Sequence, residues 1–359
     1  QYAPEFGRAS GGVLNIVTRQ GGNDPTWSVF GQGTSGALSQ PSDFVSSLPG
    51  GSEVENDASR LQYGFNFGGA FKKDKAFYFF AFERQDLSRI VPYTGLTADE
   101  VFGGALLGDS LNNNIFFRTD YNLGDRNQLM VRLTWDNRKD DRMNIGGVRT
   151  PENGFDFEEE DLGLAASLKT IVSSKIVNEV RFMAALSNFD QLANSLDLEV
   201  ARPSGITGGN ALSLQERDET RFQLVDNVTV SSGNHTMKFG LDVTWSSIDL
   251  STEFNPMGGL IYKVDRDVDP DSVPIDDLVA QVFLLVYGAP ADTFENVRFA
   301  LFAQDSWDIN ESWHLNYGLR YDLSTFELDD SARVESVVPN GGAKRDTNNL
   351  APRFGFTYT

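Results

Sequence analysis

The sequence predicts an all-β fold, specifically a transmembrane, antiparallel, up-and-down β-barrel. Segments with a period of two place large apolar rings on one face and small or polar residues on the other, as a strand with one wet side does. The connections between these segments alternate between short and long. Aromatic residues make up 12% of the 359 residues while the apolar total is only 40%, which suits narrow apolar bands better than a thick core.

The clearest strand pair is the hairpin from Arg60 to Gln85, with residues 72–75 as its turn. Its first arm carries five apolar side chains on one face: Leu61, Tyr63, Phe65, Phe67 and Phe71. A strand of a soluble β-sandwich alternates in the same way, so the hairpin alone leaves both folds open. The recurrence and spacing of the pattern decide between them.

The pattern recurs along the chain and predicts twelve strands, with boundary errors of about two to four residues. They span residues 26–36, 60–71, 76–85, 113–121, 128–137, 161–172, 176–189, 219–230, 236–247, 297–308, 313–322 and 351–359.

Loop lengths separate the two folds. The connections after the even-numbered strands are short, and those after the odd-numbered strands run from about twenty to about fifty residues. Strict alternation of this kind places every long loop at one end of a meander, as in membrane β-barrels, whereas Greek-key sandwiches mix their loop lengths. We therefore favour the barrel.

Two short helices are predicted inside the long loops. Residues 97–100 form a capping box ahead of Val101, Phe102 and Leu106, and residues 276–286 show a helical apolar period. The segment 31–36 matches the dinucleotide fingerprint G-x-G-x-x-G, but the sequence predicts no helix after it to hold a pyrophosphate. We interpret it as a glycine-rich strand end.

The strand faces predict which side chains meet lipid and which meet a hydrated lumen. Apolar positions expected to face lipid are Tyr63, Phe65, Phe80, Leu133, Phe239 and Leu319. Polar positions expected to face the lumen are Asn66, Glu83, Arg132, Asp242 and Arg320. One residue departs from the pattern, because Asp226 falls on the apolar face, and a bulge or a strand end would account for it.

Composition excludes several classes of function. The net charge of −21 argues against a nucleic-acid partner, since phosphate binding needs a basic surface. The chain has no cysteine, so thiolate chemistry is excluded. With only two histidines, distant in the sequence, a Cys/His zinc site is nearly excluded as well. The carboxylates of neighbours such as Glu158 and Glu159 point to opposite faces of a strand. We expect no enzymatic activity.

Several blocks resemble TonB-dependent outer-membrane receptors, most closely their Oar-like branch. The segment from Tyr2 to Arg19 is similar to the end of that family's plug domain, and the segment from Gly68 to Phe79 is similar to its first full hairpin. Further similar blocks follow in the family's order at residues 233–240, 302–307, 315–321 and 351–356.

The resemblance implies a bacterial outer-membrane barrel of 22 strands that an N-terminal plug occludes. Residues 1–25 would close the plug domain, and residues 26–359 would form the first half of the barrel with long extracellular loops. The protein would take up, or export, a bulky ligand with energy from the TonB–ExbB–ExbD complex, and its other partner would be outer-membrane lipid. The positions of structural use in the plug motif would be Gly7, Arg8, Gly11, Gly12, Asn15 and Thr18.

Two further interpretations remain open. The first is a structural or adhesive outer-membrane protein that uses the barrel without active transport, and the second, less favoured, is a soluble β-sandwich binding module. Twelve strands occupy 334 residues, about 28 each, so 22 strands need about 610 residues. We therefore expect these residues to be part of a longer polypeptide, with the identity of the ligand open.

The loop from 248 to 296 is unusually acidic and suggests a calcium site. Five aspartates fall at positions 1, 3, 5, 7 and 12 of a calcium-loop spacing: Asp265, Asp267, Asp269, Asp271 and Asp276. Pro270 stands where such a loop needs glycine, and a solvated acidic loop would show the same pattern. No other cofactor is expected.

Overall fold

The computed structural model describes residues 3–7, 16–40, 42–96, 101–202, 204–210, 213–254, 259–262, 280–284, 291–328 and 347–359. Its strands, in chain order, are β1 (Thr26–Ser35), β2 (Ser59–Lys72), β3 (Ala76–Leu96), β4 (Val101–Asn122), β5 (Asn127–Met143), β6 (Phe155–Ser173), β7 (Ile176–Ala193), β8 (Glu199–Ala201), β9 (Thr207–Gly208), β10 (Ser213–Ser232), β11 (His235–Phe254), β12 (Gly259–Tyr262), β13 (Ala280–Leu284), β14 (Ala291–Asp308), β15 (Trp313–Leu328) and β16 (Leu350–Tyr358).

Twelve of these strands form the main sheet, in the order β1-β2-β3-β4-β5-β6-β7-β10-β11-β14-β15-β16. Each strand pairs antiparallel with its neighbour, so alternate connections lie at opposite ends of the sheet. The connections after β2, β4, β6, β10 and β14 therefore share one end, and those after β1, β3, β5, β7, β11 and β15 share the other, where only the connection after β3 is as short as a tight turn. The predicted up-and-down meander is confirmed.

Several strands are longer than the pattern predicts, because they continue past the apolar band. The register of β3 with β4 runs without a break from Ala76↔Tyr121 to Leu96↔Val101. The helix predicted from Val101 is therefore wrong: the backbone groups there pair across the hairpin, and this pairing overrides the local capping signal. The second predicted helix is also wrong at residues 280–284, which form β13 and pair with β12.

Short helices do follow β1, contrary to the sequence prediction. A single 3₁₀ turn (Gly36–Leu38) leads to α1 (Asp43–Ser46) and α2 (Gly51–Asp57), and a second 3₁₀ turn spans Pro151–Asn153. The buried Glu55 fixes α1, since its carboxylate accepts hydrogen bonds from the Ser42 backbone N–H and the Ser46 hydroxyl. The glycine fingerprint lies mainly in β1, as a strand feature.

A smaller sheet joins two of the longer connections, the one between β7 and β10 and the one between β11 and β14. Its order is β13-β12-β8-β9, with β12 parallel to β8. The side chain of Asn153 is fully buried beside it and donates to the Asn210 carbonyl at 2.7 Å. Bridges from Tyr93 to Gly147 and from Arg149 to Thr207 tie further connections together. This end of the sheet thus carries an ordered cap.

The two faces of the main sheet differ as predicted, and we name them here. The outer face carries exposed apolar side chains, including Tyr63, Phe65, Leu133, Phe239 and Leu319. The rings of β2 and β3 pack across the strands, with 5.2 Å between the centroids of Phe67 and Phe80. The inner face carries the alternate residues of each strand, mostly small, polar or charged. No helix of the described chain is long and apolar enough to cross a membrane.

Aromatic side chains collect on the outer face near the short turns. Trp307 stacks on His235 at 5.1 Å between centroids, and Trp313 lies 5.0 Å from Tyr358. Amphipathic rings at this level are typical of the membrane–water interface. The apolar band of the outer face therefore has an aromatic border at this end.

Asp226 lies on the outer face without a bulge. The register of β10 is unbroken at Asp226 against both β7 and β11, and six residues separate it from the end of its strand. Both explanations suggested by the sequence are therefore wrong. The Asn178 side-chain amide, on the same face of β7, donates a hydrogen bond to the Asp226 carboxylate. The carboxylate thus has a polar partner in an apolar band.

Arginine and aspartate pair repeatedly within one strand. Two residues apart, both side chains lie on the same face. The nitrogen–oxygen distances are 2.9 Å for Arg84–Asp86, 2.7 Å for Arg118–Asp120, 2.6 Å for Arg138–Asp140 and 3.0 Å for Arg320–Asp322. Each pair neutralises its charges within one strand, and Arg320 lies in addition 3.7 Å from Asp242 of β11.

We predict that Leu133→Arg destabilises the full-length protein in lipid by roughly 2–4 kcal/mol, because the guanidinium would face the hydrocarbon. Thr134→Arg is the matched control, since Thr134 is the next residue and its inner-face cavity of about 400 Å³ gives the new side chain room. Denaturant unfolding in lipid vesicles measures both. Equal losses would mean that the two faces are assigned wrongly.

Candidate functional site

The segment before β1, which we call the N-terminal segment (residues 3–7 and 16–25), lies on the inner face. Residues 3–7 contact side chains of β11, β14, β15 and β16, near one edge of the main sheet. Residues 18–23 contact the first strands, from the β2–β3 hairpin to β4. One short segment thus joins the inner faces of the first and last strands described.

Glu5 is the charged centre of the first contact. Lys238 of β11 forms an ion pair with its carboxylate, and both side chains are largely shielded from solvent. Gln304 of β14 accepts from the Glu5 backbone N–H at 3.1 Å and donates to the carboxylate at 3.4 Å. Both polar ends of Glu5 are therefore satisfied by neighbouring strands.

Two arginines hold the backbone around Glu5. Arg320 donates to the carbonyls of Pro4 and Glu5 at 3.4 and 3.5 Å. Arg353 donates to the carbonyls of Ala3 and Phe6 at 2.7 and 2.8 Å. Four consecutive carbonyls thus accept from guanidinium groups, which supply several donors in a fixed geometry.

Arg320 is held in place before it meets the segment. Its side chain is only 2% exposed, its Nε donates to both carboxylate oxygens of Asp322 at 3.0 and 3.1 Å, and Asp242 lies 3.7 Å from its Nη2. A buried guanidinium needs such partners. A Cβ atom at Gly7 would lie 2.6 Å from this guanidinium, so glycine gives the close approach.

The second contact starts from Arg118 on β4. Its Nη1 donates to the carbonyl and the hydroxyl of Thr18 at 2.7 and 2.9 Å, and Asp120 holds the same guanidinium. Arg19 then lies over the ring of Phe79, 5.3 Å from its centroid. The two halves of the N-terminal segment therefore depend on the same kind of contact.

The β2–β3 turn completes this second contact. Asn23 donates to the Asp74 carboxylate at 2.6 Å and accepts from the Asp74 backbone N–H at 2.8 Å. Gly21 packs directly on the hairpin, where a Cβ atom would lie 2.1 Å from the Tyr78 carbonyl oxygen. A Cβ atom at Gly22, in contrast, would meet no neighbouring group within 4 Å. The segment therefore packs tightly against the hairpin at Gly21, whereas Gly22 has free space around it.

Two cavities of the inner face adjoin this site. One, of about 580 Å³, is bounded by Glu5, Phe6 and Gly7 on one side and by strands from β5 to β14 on the other. The second, of about 400 Å³, lies on β5, β6, β7 and β10. Arg132 lines both of them. The N-terminal segment therefore borders space that continues along the sheet.

The predicted site residues divide between described and undescribed parts of the chain. Gly7 and Thr18 lie against Arg320 and Arg118, as given above, while Arg8, Gly11, Gly12 and Asn15 lie outside the described residues. The sequence missed Glu5, Lys238, Arg118 and Arg353 as contacts. The alternation placed Arg320 on the inner face but held no signal for which backbone groups it meets.

The five aspartates of the predicted calcium loop, residues 265–276, also lie outside the described residues. In the ranges that the structure does describe, no group of three or more histidine, aspartate or glutamate side chains is placed to hold a metal ion. The calcium site stays a prediction.

Comparison with known proteins identifies the fold. A family model described as an outer membrane beta barrel domain matches residues 94–359, more than half of the chain. The chain belongs to the outer-membrane β-barrel domain family. Its place is accordingly the bacterial outer membrane, as the sequence predicted.

Within this family the chain is similar to TonB-dependent receptors. The TonB-dependent transporter Oar of Myxococcus xanthus is 38% identical over 85 residues, which are 23% of this chain and 8% of Oar. This match supports the Oar-like branch that the sequence blocks predicted.

Solved structures of this outer-membrane fold agree. The ferripyoverdine receptor of Pseudomonas aeruginosa matches with a TM-score of 0.59 and 10% identity, over 95% of this chain and 41% of that one. The siderophore receptor PirA of Acinetobacter baumannii matches with a TM-score of 0.55 and 14% identity, over 91% and 43%. The chain thus spans less than half the length of each relative.

We predict that Gly21→Ala loosens the N-terminal segment of this outer-membrane barrel, because the new methyl group would overlap the Tyr78 carbonyl oxygen. Overpacking of this kind costs about 1–3 kcal/mol. Limited proteolysis of the full-length protein should cut the segment faster in this variant. Gly22→Ala is the control and should be cut at the wild-type rate. Equal rates for both variants would contradict the described fit.

Proposed function

We propose that this chain is part of an energised receptor that moves a bulky ligand across the outer membrane. Residues 1–25 would close a plug domain, residues 26–359 would form part of the barrel, and the outer face would meet outer-membrane lipid. The similarity to Oar and to TonB-dependent receptor structures supports a receptor or transporter role. The energy would come from the TonB–ExbB–ExbD complex, as the family resemblance implies.

One observation carries this proposal: side chains, and no strand pairing, hold the N-terminal segment to the sheet. Among the described residues, no backbone–backbone hydrogen bond joins the segment to a strand. Hydrogen bonds to charged groups contribute about 1.5–3 kcal/mol each, and less where water competes. A segment held in this way can leave the inner face one contact at a time, without breaking a ladder of the sheet.

The proposal predicts that removing the charged contacts lets the segment leave more easily. In the full-length protein, Lys238→Met with Arg353→Met would remove the ion-pair partner of the Glu5 carboxylate and the donor to the Ala3 and Phe6 carbonyls. Planar-bilayer recordings in increasing urea should show channels opening at a lower urea concentration than in the wild type. Lys175→Met, in the β6–β7 turn, is the control and should open with the wild type. If the wild type, the double variant and Lys175→Met all open at the same urea concentration, side-chain contacts do not hold the N-terminal segment in place.

A second experiment separates transport from the structural or adhesive alternative. Calorimetric titration of the periplasmic domain of TonB from the same bacterium into the full-length protein should give saturable heat. An energised receptor needs this contact, whereas a structural barrel does not. Absence of binding, with the barrel intact by heat-modifiable gel migration, would favour the alternative.

A further inference from the structure

The cavity of about 400 Å³ on the inner face of β5, β6, β7 and β10 is within the usual size of a small-ligand site. Its floor consists of small residues, Gly163, Ala165 and Ala185, on the two middle strands. A Cβ atom at Gly163 would lie 2.6 Å from the Thr134 hydroxyl oxygen. The depression therefore exists because Gly163, Ala165 and Ala185 carry little side-chain volume, while Met183, opposite Ala165, lies at its border.

Two carboxylates face each other at the end of this cavity nearer the long connections. Asp136 of β5 and Asp161 of β6 are direct cross-strand partners. Neither has a hydrogen-bond or ion-pair partner among the described residues. Like charges directly opposite each other destabilise a sheet, and they repel strongly where water is partly excluded. This end of the cavity therefore favours a cation.

Guanidinium groups line the other end of the cavity, which lies farther from the long connections than Asp136 and Asp161. Arg132, four residues before Asp136 on β5, has no hydrogen-bond or ion-pair partner in the described chain. Arg221, on the opposite strand β10, forms an ion pair with Glu219, yet its Nε–H is buried and has no acceptor. Arginines elsewhere on the inner face, such as Arg118 and Arg320, have both carboxylate and carbonyl partners. This end of the cavity therefore favours an anion.

We propose that the cavity binds an extended peptide of about three residues, with a protonated amine between Asp136 and Asp161 and a carboxylate at Arg132 and Arg221. Four residues along a strand separate the Cα atoms of Arg132 and Asp136 by about 13 Å. The side chains shorten this distance, and an extended tripeptide spans about 10 Å. The floor of small residues runs in the same direction and leaves the peptide backbone room.

The position of Arg132 connects this site with the proposed function. Because Arg132 also lines the cavity beside Glu5, Phe6 and Gly7, the carboxylate end of the peptide would lie next to the N-terminal segment. The peptide site would then be a stage on the path of a peptide-bearing ligand. This role rests on the proposed function, whereas binding itself does not, and equilibrium binding tests it without transport.

The test uses trialanine with free termini, its N-acetylated form and its C-amidated form, titrated calorimetrically into the full-length protein. Free trialanine should bind most tightly. Blocking either terminus should weaken binding about tenfold, the amount expected for one charged hydrogen-bonded contact. In Arg132→Gln the C-amidated form should bind as well as free trialanine. In Asp161→Asn the N-acetylated form should bind as well as free trialanine.

Two controls keep the result decisive. Arg132→Lys should retain most of the affinity for the free carboxylate, and Lys169→Gln, on the inner face of β6 outside this cavity, should bind like the wild type. The proposed site is wrong if trialanine does not bind. It is also wrong if every variant changes the affinities for the N-acetylated and the C-amidated forms by the same factor. A protein that binds trialanine but not TonB would keep the site and remove the proposed function.

Discussion

The pairing of backbone groups is the constraint on which the rest of this structure depends. In hydrocarbon every unpaired N–H or C=O costs several kcal/mol, so membrane-spanning strands must be satisfied by their neighbours. Consecutive antiparallel pairing meets this demand, and it also fixes which side chains face outward. The apolar band of the outer face and the charged inner face are both consequences of this one ladder.

The N-terminal segment follows a different rule from the sheet it touches. The strands are joined by backbone hydrogen bonds, whereas arginine, lysine and glutamine side chains hold residues 3–7. A side chain can exchange its partner for water, but a strand in lipid has no such alternative. Backbone groups thus hold the sheet together, and side chains hold residues 3–7 to it.

The sequence predicted the framework well and its extensions poorly. Period-two alternation marks strands only where one face is wet and the other apolar, so the strands near the tight turns were found. In the upper parts of β3 and β4 apolar residues stand next to each other, as at Ile90-Val91 and Leu106-Leu107, so the period-two signal is lost there. The capping box before Val101 misled for the same reason, since only the opposite strand shows that the segment is extended.

The inner-face contacts were beyond prediction because they join distant residues. Alternation placed Arg320 on the inner face, yet the carbonyls that it meets are more than 300 positions away. Thr18 and Arg118 are 100 positions apart, and neither belongs to a local motif that pairs them. Asp226 shows the opposite case, where the sequence showed the anomaly correctly but only the neighbouring strand supplied Asn178 as its partner.

The arginine–aspartate pairs within single strands have a consequence for how the sheet is assembled. Because both members belong to one strand and one face, each pair is complete before the next strand arrives. A strand that joins the growing sheet then brings a dipole in place of two separate charges, and less hydration has to be removed from it. A strand can therefore join the sheet without waiting for another strand to supply the opposite charge.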